Sequence, residues 1–111
     1  MTAGALSPEE LDTLFEDAFV AFDVAAVPEL FELHALLAAS GAMCARGAGI
    51  AGFVASLWAH DATYIPGRRR IYQANDTALI VTERAISVAH RAADARWRYT
   101  IALLDTNPKE P

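Results

Sequence analysis

The stretch RRRIYQANDTALIVTERAISVAHRAADARWRYTIALL, residues 68–104, contains four runs in which side-chain character alternates with the period of two that belongs to β-strands. The runs are 68–74, 77–82, 85–91 and 96–104. Short connections divide them: Asn75-Asp76, Glu83-Arg84 and Ala92-Ala93-Asp94-Ala95. Strands joined by connections this short must fold back beside one another, so the stretch predicts a four-strand antiparallel meander. In the last run Trp97, Tyr99, Ile101 and Leu103 alternate, which predicts one apolar face that another layer has to cover.

That layer is written upstream. Ser7-Pro8-Glu9-Glu10 marks a helix start: serine can cap, proline suits the first helical position, and a glutamate three residues after the serine completes a capping box. Leu11, Leu14, Phe15, Ala18, Phe19 and Phe22 then recur at three- and four-residue steps, leaving Asp12, Glu16 and Asp17 to the surface. Asp23 can cap a short second helix carrying Pro28, Leu30, Phe31 and Leu33. From His34 the pattern turns to small apolar residues, and Ser40-Gly41 between 35–38 and 42–45 predicts a hairpin. Ile50, Phe53, Val54, Leu57 and Trp58 restore the helical step and predict a third helix ending near His60, before Pro66-Gly67 breaks the chain.

The chain has 111 residues, enough for one domain, 1–111, with 1–6 and 105–111 expected as loose termini. Its 54% apolar and 21% charged composition suits a globular protein, and no apolar run reaches the roughly 20 residues of a membrane span. The N-terminus lacks the basic and apolar regions of a secretory signal, and the lone Cys44 excludes an internal disulfide. A cytoplasmic location is the expectation. Residues 1–34 carry eight acidic side chains and no lysine or arginine, whereas nine basic and six acidic residues follow. This balance argues against nucleic-acid binding, which draws on basic patches. The only dense one, Arg68-Arg69-Arg70, is read as a solvated strand end that can face the acidic helices.

Three motifs in this order resemble the nuclear transport factor 2-like superfamily, and especially its small SnoaL-like bacterial members. Residues 45–53, ARGAGIAGF, are similar to that family's entry to the third helix, A-R-G-x-x-x-I-x-x-F. Residues 75–81, NDTALIV, are similar to its strand opening G-D-x-A-L-V, and residues 94–101, DARWRYTI, to its closing D-G-x-W-x-x-x-I. The resemblance implies an α+β fold in which N-terminal helices pack on a curved antiparallel β-sheet, forming a cone. It also implies homodimerisation through the sheet. Ketosteroid-isomerase-like members place a carboxylate base where this chain has Ala38-Ala39-Ser40-Gly41, a tyrosine where it has Phe15, and a protonated acid near Ser87. All three positions are empty of those groups. Proton abstraction beside a carbonyl needs both a base and an oxyanion donor, so their absence argues against that chemistry.

The remaining candidates are few. His90 falls on one strand face with Ile86 and Val88, a setting able to shift an imidazole, and with Tyr99 it is the candidate catalytic pair. Phe19, Trp58, His90, Trp97 and Tyr99 are the candidate ligand-binding residues, able to line a cavity for a flat apolar molecule. His60-Asp61 with Tyr64 could supply a base, its orienting carboxylate and a hydroxyl donor, but the favoured reading is a helix end with a histidine well placed at the terminal carbonyls. Glu83 belongs to a surface turn, and Cys44 to the small buried apolar residues. His34, His60 and His90 lack metal-ligand spacing, and no cofactor is expected. Three functions stay open: a homodimeric domain binding an apolar or aromatic metabolite in the cone, an isomerase, cyclase or lyase with a relocated acid–base pair, and a non-catalytic dimerisation or interaction module.

Overall fold

A computed structural model describes residues 4–39, 43–59 and 68–105. Helix α1 (Pro8–Ala21) begins where the capping signals stand. Ser7 Oγ accepts from the Glu10 N–H at 3.0 Å, and Glu10 reaches back to accept from the Leu6 N–H at 2.7 Å, one residue before the cap. The helix ends at Phe22, which adopts a left-handed conformation with φ 55°, and the Asp23 N–H donates to the Ala18 carbonyl. Asp23 in turn caps a 3-10 helix, Val24–Leu30, by accepting from the Ala26 N–H.

Strand β1 (Phe31–Ala39) pairs antiparallel with β2 (Met43–Arg46), forming the expected hairpin around residues 40–42, which lie outside the described set. β1 begins four residues earlier than the pattern indicated, because Phe31 leaves the 3-10 helix directly onto the sheet beside Tyr99. A 3-10 turn, Gly47–Gly49, leads into α2 (Ile50–Ala59). The meander follows as β3 (Arg69–Ala74), β4 (Thr77–Thr82), β5 (Ala85–Arg91) and β6 (Trp97–Leu104). The six strands lie in the order β2-β1-β6-β5-β4-β3. The sheet is not wholly antiparallel: β1 runs parallel to β6, since the helical segment and the meander between them bring the chain back in the same direction.

Two irregularities shape the sheet. In β6 Ala89 faces Tyr99 while Val88 faces Ile101, so Thr100 is an extra residue and the strand changes face there. Trp97 and Tyr99 are therefore buried with Ala102 and Leu104, whereas Ile101 and Leu103 point to the opposite, open face. This corrects the single apolar face read from alternation. In β1 the register jumps from Phe31↔Tyr99 to Leu36↔Ile101, so residues 32–35 bow away from β6.

The core lies between α1 and the inner sheet face. Leu11, Phe15, Phe19, Phe31, Trp97 and Tyr99 fill it. Phe15 stands at its centre, edge-on to Phe19, Phe31 and Tyr99 with centroids 5.7–6.0 Å apart, the geometry aromatic pairs prefer. The N-terminal end expected to be loose is tied down at Ala5, which is buried and accepts from the Trp97 N–H at 2.9 Å.

The turn before β6 shows how local chemistry and strain combine. Asp94 accepts from the Arg96 N–H at 3.0 Å and grips both terminal nitrogens of Arg98 at 3.1 and 2.8 Å. The Arg98 contact, with the Arg96 N–H, holds the Asp94 carboxyl down at about 2. Next to it Ala95 is forced to φ 68°, a conformation that glycine adopts without penalty and that is also where the resembling pattern carries glycine. Ala95→Gly is expected to raise stability by about 1 kcal/mol in urea denaturation. A fall in stability would mean that Ala95 is not strained there.

Candidate functional site

Among the described residues, aromatic side chains pack the space between α1 and the inner sheet face. Phe19, Trp97 and Tyr99, proposed to line a cavity, are all buried members of the aromatic core. Trp58 falls in α2 with its side chain outside the described set, as are His60, Asp61 and Tyr64. Phe15, at the position of a catalytic tyrosine, is core, and Ser87 is buried on the inner face of β5.

Below the aromatic cluster lies a polar group that periodicity concealed. Helical periodicity places Asp12 on the surface of α1, yet it is 2% exposed. Its Oδ1 accepts from the Tyr99 hydroxyl at 2.7 Å and its Oδ2 from Arg69 Nε at 2.9 Å. Glu16, one turn further along α1, stands 3.6 Å from the same guanidinium. Of the three consecutive arginines, Arg69 therefore turns inward to the acidic helix, while Arg68 and Arg70 remain exposed. Three elements distant in sequence meet at one carboxylate whose two oxygens are both satisfied, and this makes Asp12 a tie between α1, β3 and β6. Tyr99 donates its proton there.

His90 lies on the outer face of the sheet, opposite to Tyr99, so the structure does not bring the proposed acid–base pair together. Its partners are polar and not the apolar neighbours expected from Ile86 and Val88. Nδ1 is 2.9 Å from Thr100 Oγ1 and 3.3 Å from Glu32 Oε2, while the Thr100 hydroxyl donates to Glu32 Oε1 at 2.8 Å. The β6 bulge makes this cluster, because the face change at Thr100 presents its hydroxyl toward β1 and β5. Glu83 is exposed in its turn, as expected. Cys44 is exposed too, against the expectation of burial: on the short edge strand β2, no neighbour among the described residues covers it.

A cavity of about 750 Å³ opens where β1 bows away from β6. Pro28, Phe31, Leu33, Ile50 and Ala51 supply apolar walls, and Glu32, His34 and Arg98 supply polar lining. Gly47 lies at its floor with φ 52°, and a Cβ built there would come 2.6 Å from the Leu33 carbonyl oxygen. The glycine of the ARG motif is thus what lets the chain entering α2 press against the bowed strand. Phe19, His90, Trp97 and Tyr99 do not line this cavity. Its volume falls in the range of small-molecule sites, and it is only partly enclosed.

Helices packed on one face of a curved, six-stranded, mostly antiparallel sheet constitute the nuclear transport factor 2-like cone fold, and solved structures agree. An NTF2-like protein with a cystatin-like fold from Novosphingobium aromaticivorans superposes with a TM-score of 0.69 at 19% identity, over 91% of this chain and 80% of that one. A candidate calcium/calmodulin-dependent protein kinase type II association domain from Thiobacillus denitrificans gives 0.73 at 16% identity, over 97% and 100%. A candidate ketosteroid isomerase from Parabacteroides distasonis gives 0.62 at 14% identity, over 90% and 87%. Identities this low define the fold alone. No protein-family model matches the chain, and no curated protein does. No helix among the described residues is long and apolar enough to cross a membrane.

Proposed function

We propose that this chain is a non-catalytic domain that works as a homodimer joined through the outer face of its sheet. The observation that carries the reading is the composition of that face. Ile101 and Leu103 on β6 stand beside Val88 and Ile86 on β5, which stand beside Leu79 and Val81 on β4, with Leu36 and Ala38 of β1 on the other side. Ile86 is 50% exposed and Leu103 46%, and they are register partners. Among the described residues no element covers them. A contiguous apolar face on four adjacent strands is what a homodimer buries, and soluble monomers rarely leave one open. One similar structure is a candidate association domain, which fits an assembling role for this architecture.

Light scattering on the purified chain tests this. The wild type is expected to have twice the protomer mass, and Leu103→Arg to weaken the dimer by roughly 30-fold or more, as a charge at an interface centre does. A wild type that stays monomeric at high concentration would end the reading.

A second reading is favoured by the cavity beside β1: each protomer holds a small apolar or aromatic molecule there, away from the aromatic core. Acid–base catalysis of the isomerase kind has less support, since the positions that would carry it hold Ala38-Ala39-Ser40-Gly41, Phe15 and Ser87, and Tyr99 is engaged by Asp12.

A further inference from the structure

We propose that the cavity beside β1 selects a small aromatic or apolar molecule bearing a cationic amine, with Glu32 as the selecting charge; this rests on the ligand-binding reading above. Among the described lining residues, two bear full charges, Glu32 and Arg98. Arg98 is already neutralised, because Asp94 accepts from both of its terminal nitrogens, and the pairing raises the guanidinium further. Among the described residues no lysine or arginine hydrogen-bonds Glu32, although Arg98 feels its charge from further off. One oxygen accepts from the uncharged Thr100 hydroxyl, and the other faces His90 Nδ1, which offsets the carboxylate only when protonated.

The surroundings add to the imbalance. Glu29, beside the lining residue Pro28, acts with Glu32 in the field felt by Arg98. His34, the remaining polar lining residue, contributes positive charge only when protonated. The cavity wall therefore carries surplus negative charge next to an apolar surface. Thr100 and His90 hold the Glu32 carboxylate in a set orientation, so a ligand cation meets a pre-positioned acceptor on a side chain that is 31% exposed. An aromatic body against Phe31, Ile50 and Ala51 with an ammonium at Glu32 satisfies both kinds of lining. A carboxylate-bearing ligand would find Arg98 occupied and Glu32 repulsive.

Three shape-matched probes decide the matter: 2-naphthylmethylamine, 2-naphthalenemethanol and 2-naphthoate, titrated at pH 7.5 by calorimetry and by chemical shifts of Phe31, Ile50 and Ala51. The amine is expected to bind about 5- to 10-fold tighter than the alcohol, as a half-exposed charge-assisted contact provides, and the carboxylate weakest. Glu32→Gln keeps an acceptor for Thr100 and should bring the amine to within about 2-fold of the alcohol. Asp94→Asn, which frees the Arg98 charge, should narrow the gap between carboxylate and amine. Circular dichroism confirms that both variants fold. If the alcohol binds and the amine has no advantage, charge selection is overturned and the cavity reading survives. If no probe shifts those three residues, both fall together.

Discussion

Gly47→Ala should cost about 2–4 kcal/mol in urea denaturation, the sum of a left-handed conformation given to a residue with a side chain and a backbone contact too close to relieve. The added methyl would meet the Leu33 carbonyl oxygen at 2.6 Å, and because that atom is backbone there is no flexible side-chain end to move aside. Relief would have to come from the bow in β1 that opens the cavity, so the chemical shifts of Glu32, Leu33 and His34 should change with it. Gly52→Ala is the control: it stands in α2 with nothing within 4 Å of the new Cβ, and a helix-interior alanine should stabilise by about 0.5–1 kcal/mol. Equal effects at the two positions would show that Gly47 is not a contact glycine.

Asp12→Ala should be comparably damaging, by about 2–4 kcal/mol, because it leaves the buried Tyr99 hydroxyl without its acceptor and Arg69 without its nearest carboxylate. Arg69 is 26% exposed, so water takes over part of its charge and keeps the loss from exceeding that range. Tyr99→Phe should cost less, about 1–2 kcal/mol, since the ring stays packed against Phe15 and Phe31. In a double-mutant cycle the two changes should be coupled by about 1–2 kcal/mol, as neighbours in one hydrogen-bond network are. Additive losses would show that Asp12 and Tyr99 act separately, and a stable Asp12→Ala would remove the tie between α1 and the sheet.

The contrast between these two residues shows how much of the molecule was legible beforehand. Gly47 sits in a motif, and the resemblance drew attention to it, although its reason is visible only in the contact with Leu33. Asp12 gave no signal. It is a charged residue off the apolar stripe of an amphipathic helix, and local periodicity places such a residue in water unless a donor arrives from elsewhere. Here two donors arrive, from 57 and 87 residues away. Alternation places Tyr99 on an apolar strand face, and only its ring contact with Phe15 shows that it packs in the aromatic core. His90 was placed among Ile86 and Val88 by strand alternation, which holds, yet their common face is the open one.

The sequence by itself determined the elements and their order: the capped first helix, the hairpin, the helix from Ile50 and all four meander strands. These follow from signals spanning a few residues, namely caps, turn residues and the two hydrophobic periods. Tertiary structure alone decided which face of each strand is buried beyond the Thr100 bulge, that β1 pairs parallel to β6, that Phe15, Phe19, Phe31 and Tyr99 pack together under α1, and that a cavity lies beside β1. Each of those depends on register between strands far apart in the chain, and a shift of one residue exchanges inside for outside.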